Sequence, residues 1–181
     1  MTRILAVLMC ALLLAACSPK FDWRPVPFGR QGAVGVLPDK PQAQTRTVRF
    51  GSLDLPLTMH SARAGSVLFA LGEAPLPAGL ASDPAAQERL AQWATTAIYH
   101  NAGVEPPPTL PPPGTRFMVD GHGPKGKLRF QAQVRVTASE WLEAIVIGDP
   151  ANFARAPVDD FWLSLRWSTT PQTTGHPVSP P

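Results

Sequence analysis

From Leu128 to Val136 apolar and polar side chains take turns: Leu128, Phe130, Ala132, Val134 and Val136 alternate with Arg129, Gln131, Gln133 and Arg135. A period of two predicts a half-buried antiparallel strand with one apolar and one polar face. The same reading predicts strands over Ala33–Leu37, Thr45–Phe50, Leu53–Met59, Val67–Leu71, Thr115–Val119 and Trp141–Ile147. Gly51-Ser52 is short enough to close a hairpin, which sets Leu53, Leu55, Leu57 and Met59 on one face. Pro56 has no amide to donate, so its strand is expected at a sheet edge or a bulge. The segment Gly121-His122-Gly123-Pro124-Lys125-Gly126 reads as the loop before the Leu128 strand.

Between Pro84 and Asn101 the period changes. Leu90, Trp93, Ala94, Ala97, Ile98 and Asn101 follow the spacing of one helical face. Ser82 or Asp83 is placed to cap this helix, Pro84 suits its first turn, and Gln87-Glu88 are placed near its free amides. Asn101-Ala102-Gly103 supplies the stop. A second, short helix is predicted from Val158 to Leu165, with Val158, Phe161, Trp162 and Leu165 inward. This order predicts an α+β fold, an antiparallel sheet packed by one long helix and a short C-terminal helix.

Proline changes the picture of the connections. It accounts for 22 of 181 residues, more than twice the usual level of about 5%. Six prolines lie in Pro106–Pro113, PPPTLPPP, which favours polyproline II. That run reads as a stiff surface connector from helix to sheet; the rival reading is a ligand for an aromatic groove on a partner. Residues 17–31 read as a tether, interrupted by Phe21-Asp22-Trp23-Arg24, whose Trp23 either packs on the domain edge or meets a membrane or partner. A single domain is expected over 32–167, and the Pro/Thr/Ser-rich residues 168–181 read as a disordered tail.

The N-terminus carries the strongest local signal. Arg3 is followed by an apolar run from Ile4 to Leu14, too short to span a hydrocarbon core, which takes about 20 residues. Leu14-Ala15-Ala16-Cys17 then resembles the lipobox of bacterial lipoproteins. The resemblance implies a signal peptide over 1–16, a diacylglycerol thioether on Cys17 and membrane attachment through that lipid. Ser18 after the cysteine resembles the pattern for sorting to the outer membrane, facing the periplasm. Cys10 is the only other cysteine and lies inside the signal, so Cys17 is left with no disulfide partner and the fold is expected to rest on packing alone.

Charge excludes rather than identifies. With 16 Lys+Arg against 13 Asp+Glu, the net charge is +3, and no basic run exceeds two residues. A nucleic-acid footprint is therefore not expected. No phosphate loop, dinucleotide fingerprint or Gly-x-Ser-x-Gly elbow is present. The histidines at 60, 100, 122 and 176 lack metal-ligand spacing, so no metal or other cofactor is expected. One enzymatic reading remains, a site made by His60, Asp120 and His122 if the strands bring them together. Glu140 and Glu143 are three apart on a strand, hence on opposite faces, and read as surface charge rather than an acid–base pair. Arg129, Gln131, Gln133 and Arg135 share a polar face, which Arg116 or Arg166 could extend, and are the candidate binding surface.

Two longer stretches carry a further resemblance. Gly35-Val36-Leu37-Pro38-Asp39-Lys40-Pro41 resembles the early strand and turn of PsbP/Mog1-like domains, and Val158-Asp159-Asp160-Phe161-Trp162-Leu163-Ser164-Leu165-Arg166 their closing helix. The mature chain, beginning Cys17-Ser18-Pro19-Lys20-Phe21-Asp22-Trp23-Arg24, is similar to small uncharacterised lipoproteins of β-proteobacteria. The resemblance implies a lipid-anchored, non-enzymatic module that binds an envelope protein or assists an envelope assembly, and it carries over no catalytic residue. The alternatives are the His60/Asp120/His122 enzyme and a purely structural envelope lipoprotein.

Overall fold

The computed structural model describes residues 21–167. Residues 1–20, which include the expected signal segment and Cys17, and residues 168–181, expected as a tail, lie outside the described residues. Twelve elements follow in order: β1 (Arg24–Phe28), β2 (Ala33–Leu37), β3 (Gln42–Phe50), β4 (Leu53–Ala64), β5 (Val67–Pro75), α1 (Ala78–Ala81), α2 (Pro84–Asn101), β6 (Phe117–Gly123), β7 (Gly126–Val136), β8 (Glu140–Gly148), α3 (Pro150–Phe153) and α4 (Val158–Ser164).

Six strands form one sheet in the order β3-β4-β5-β8-β7-β6, antiparallel throughout. It is two three-stranded meanders joined through their last strands, β5 and β8. These two central strands are covered on both sides, so apart from Glu73, Glu140 and Glu143 both of their faces are apolar and alternation fades. The expected α+β architecture with an antiparallel sheet is what the chain adopts.

One face of the sheet packs against α2. Leu55 and Leu57 of β4, Val119 of β6, Phe130 and Val134 of β7 and Trp141 of β8 meet Leu90, Ala94 and Ile98 of the helix. The buried stripe of α2 also includes Ala91, Thr95 and Tyr99, while Trp93 is only partly buried. The helix is thus rolled toward Tyr99, which stacks on Phe117 at 5.7 Å. Asp83 is its cap, accepting from the Ala86 amide at 3.0 Å. Gln87 does not serve the free amides of α2; its side-chain amide donates to the carbonyls of Leu80 and Ala81, tying α1 to α2. At the other end Gly103, with φ +68°, allows its amide to reach the His100 carbonyl and that of Val104 to reach Tyr99. This is the Schellman pairing, which satisfies the last carbonyls.

The opposite face is covered by the β1–β2 hairpin and by α3 and α4. Val26, Phe28 and Leu37 from the hairpin and Phe161 and Trp162 from α4 pack on Phe69 and Leu71 of β5 and Leu142 and Val146 of β8. Arg166 closes this layer with a two-way backbone bridge to Val34, at 2.8 and 3.0 Å. Among the described residues no helix is long and apolar enough to cross a membrane.

Several expectations change. The segment 24–31 is not tether: Arg24–Phe28 is a strand whose Val26 and Phe28 are buried core. Their alternation was masked by Pro25 and Pro27, which point outward on a strand paired on one side only. Trp23 is half-buried beside Phe21, at 5.9 Å. β4 is not an edge strand, yet β5 pairs with it only from Thr58 onward, so Pro56 sits where β3 is its single partner. Gly121, His122 and Gly123 belong to β6 rather than to a loop, and only Pro124-Lys125 turns the chain. The proline run connects α2 to β6, lies along Glu88 and Gln92, and buries part of Leu110 against the core, as a connector would.

Candidate functional site

Three glutamates occupy β5 and β8, the strands where a charge is most costly to bury. Glu73 and Glu140 point to the hairpin side, Glu143 to the helix side, as the pairing register requires. Glu140 is 1% exposed and Glu143 4% exposed. The expectation of surface charge was therefore wrong for both. Glu140 and Glu143 do lie on opposite faces, but the faces are covered by layers that a linear reading does not place.

The hairpin-side carboxylates have a structural task. The Gly29 amide donates to Glu73 Oε2, the Arg30 amide to Glu140 Oε2, and the Gln31 side chain to Ser139 Oγ at 2.8 Å. Together they clamp the tip of the β1–β2 hairpin to the ends of the central strands. Gly29 has φ +76°, and a Cβ there would meet Leu142 Cδ2 at 2.8 Å. Only glycine brings its backbone down onto the carboxylates.

Glu143 is different. It accepts no hydrogen bond among the described residues and lines an open groove of about 410 Å³ beneath the C-terminal end of α2. Its side chain crosses Gly72 of β5, where a Cβ would sit 2.6 Å from Glu143 Cγ and 2.7 Å from Met59 Sδ. Beyond it the floor is apolar, formed by Ala70, Ile145, Leu68 and Ile147, with Ile98 as roof. Gln44, Arg46 and Asn101 also line it, and Ser61 lies in the cross-strand row of Ala70 and Ile145. Loss of hydration raises the Glu143 carboxyl to about 7, against a weaker opposing pull from Arg46. A concave apolar recess with one perturbed titratable group has the attributes of a binding site. The isolated Glu in an otherwise apolar run, Trp141–Ile147, was the sequence signal for it.

His60 lies on β4, and Asp120 and His122 on β6, with three strands between. At about 4.8 Å per strand that is roughly 19 Å, so they form no common site. His60 instead meets Glu73 at 3.3 Å, and Asp120 takes a two-point contact from Arg129, at 2.6 and 2.7 Å. That contact holds the exposed Asp120 carboxyl below its usual range.

Arg129, Gln131, Gln133 and Arg135 do share one face of β7, but it is not an open polar surface. Gln133 is 9% exposed and donates to the Gly114 carbonyl, and the Arg135 guanidinium lies over Trp167 at 5.0 Å. Arg116 lies over Trp162 at 5.4 Å rather than joining them. The C-terminal segment folds back over this face, which no local pattern announces. Among the described residues no three His, Cys, Asp or Glu side chains converge as a metal site requires. Compared with models of protein families, with curated proteins and with solved structures, the chain matches none.

Proposed function

We propose that this chain is a lipid-anchored lipoprotein of the bacterial cell envelope, attached through Cys17 to the outer membrane on its periplasmic side. Its folded part acts as a non-enzymatic binding or assembly-accessory module with a PsbP/Mog1-like sandwich. The lipobox supports the anchor, and a six-stranded antiparallel sheet between a long helix and a closing helix is compatible with that sandwich. The single observation that carries the binding role is the groove under α2. Its walls are mainly apolar, aliphatic apart from Phe130 and Met59, its one acid is Glu143, and no hydrogen bond joins the Ser61 hydroxyl to that acid among the described residues. Such a recess is suited to holding a group rather than to activating a nucleophile.

The test compares the tagged protein with Cys17→Ala in cells. The parent should incorporate fatty-acid label and sediment with membranes, and the variant should lose both. In-cell crosslinking of the anchored form should capture one envelope component that the variant does not. Membrane association unchanged by Cys17→Ala would overturn the anchor. Substrate turnover abolished by replacing one polar residue would overturn the non-enzymatic role.

A further inference from the structure

We propose that the groove beneath α2 binds a small apolar molecule carrying a primary ammonium group, with the ammonium seated on the Glu143 carboxylate. This rests on the reading of the folded part as a binding module and names the ligand class of its groove.

The groove and a molecule of this class are complementary. The groove, at about 410 Å³, falls within the range of roughly 300–1,000 Å³ usual for small-ligand sites. Its acid and its apolar floor are separated along the strands. Glu143 lies in the cross-strand row Gln44–Met59–Gly72–Glu143, and the apolar floor continues through Ala70 and Ile145 to Leu68 and Ile147. A ligand lying along β8 therefore has a carboxylate at one end and a mainly apolar lining, with Phe130 beside Ile147 and the Ser61 hydroxyl beside Ala70, for the rest of its length.

The carboxylate lacks what an ammonium provides. Glu143 is 4% exposed, receives no donor from the described residues, and feels Arg46 only at a distance. A buried carboxylate without donors is unfavourable, and an ammonium brings three donors with the opposite charge. α2 also ends over the groove at Asn101, and the negative end of the helix dipole favours a cation there. A wholly apolar ligand would leave Glu143 dry, and an anion would face it with like charge. Gly72 completes the site, since any side chain there would displace the Glu143 side chain from its place on the floor.

Among the described residues, Arg46 on β3 is the one ionised group that lines the groove with Glu143; the groove-lining residues of β4, β5, β7 and α2 are uncharged, and β8 adds only Ile145 and Ile147. The amine stays protonated below about pH 10, so the pH dependence of binding should report Glu143 alone.

The experiment titrates the full chain, purified in detergent, with 2-phenylethylamine, 2-phenylethanol and 3-phenylpropionate, followed by the methyl resonances of Ile98, Ile145 and Ile147. The amine should bind at pH 8.5 at least tenfold more tightly than the alcohol. Its affinity should fall roughly thirtyfold by pH 5.5, as a carboxyl near 7 takes up its proton. Glu143→Gln should bind amine and alcohol alike, and Ile145→Trp, which fills the floor, should bind neither. Equal affinity of amine and alcohol in the parent, preference for the acid, or no methyl shift with any probe would each overturn the proposal. These outcomes are independent of the Cys17→Ala result, so the anchor and the ligand class fail separately.

Discussion

Glu143 makes the stability of the fold depend on pH. Its carboxyl is raised from 4.5 to about 7 because the folded state strips its water. Between those pH values the folded chain holds a proton that the unfolded chain releases, so stability is greatest below about pH 4.5 and falls as pH rises through 7. The difference corresponds to on the order of 3 kcal/mol. Thermal unfolding of Glu143→Gln should therefore lack that slope and gain over the parent at pH 8 while differing little at pH 4.5. A parent Tm that rises from pH 5 to pH 8 relative to the variant would contradict the assignment. Gly72→Ala, which drives a Cβ into Glu143 and Met59, should cost about 1–3 kcal/mol by overpacking.

At the scale of elements, the β1–β2 hairpin is held less by its own ladder than by the sheet beneath it. A two-stranded hairpin is marginal by itself, and Glu73 and Glu140 anchor its tip through the amides of Gly29 and Arg30. Glu140→Ala should leave the Arg30 amide without its partner and cost about 1–3 kcal/mol. Hydrogen exchange should quicken across residues 24–37 while β7 stays protected; uniform destabilisation without that local change would argue against the clamp. The helix α2 had a clear sequence signature, with Asp83, Pro84 and Gly103 marking its ends. Its exact roll did not, because the buried stripe through Ala91, Thr95 and Tyr99 is chosen by Phe117 and the β6–β7 surface. Gly121 is part of the same docking, since the Ala102 carbonyl, which accepts from the His122 amide at 2.9 Å, leaves no room for a side chain there.

For the whole molecule, the layers on the two faces of the sheet make residues 24–31 part of the folded unit. If residues 17–31 were a tether, removing 21–31 would leave the melting point unchanged. Val26 and Phe28 are instead core, and each buried apolar side chain of this size contributes about 1.5–3 kcal/mol. A chain lacking 21–31 should lose several kcal/mol and expose Phe69, Leu71 and Leu142, read as binding of a hydrophobic dye; an unchanged Tm would restore the tether.

Most strand positions, the long helix with Asp83 and Gly103 at its ends, the closing helix and the connecting place of Pro106–Pro113 follow from local rules of period, capping and proline chemistry, which act over a few residues; β1 and the Gly121–Gly123 end of β6 do not, because their prolines and glycines read locally as tether and loop. The N-terminal signature is likewise local and owes nothing to the fold. The sequence could not show which layer covers which face. Glu140 and Glu143 look alike in the run Glu140–Ile147, and only the pairing of β8 with β5 gives one the hairpin amides and the other an open groove. The same pairing sets His60 apart from Asp120 and His122, and the return of Trp162 and Trp167 covers the Arg129–Arg135 face. Those outcomes depend on contacts between residues far apart in the chain, whose selection is a matter of global packing and burial.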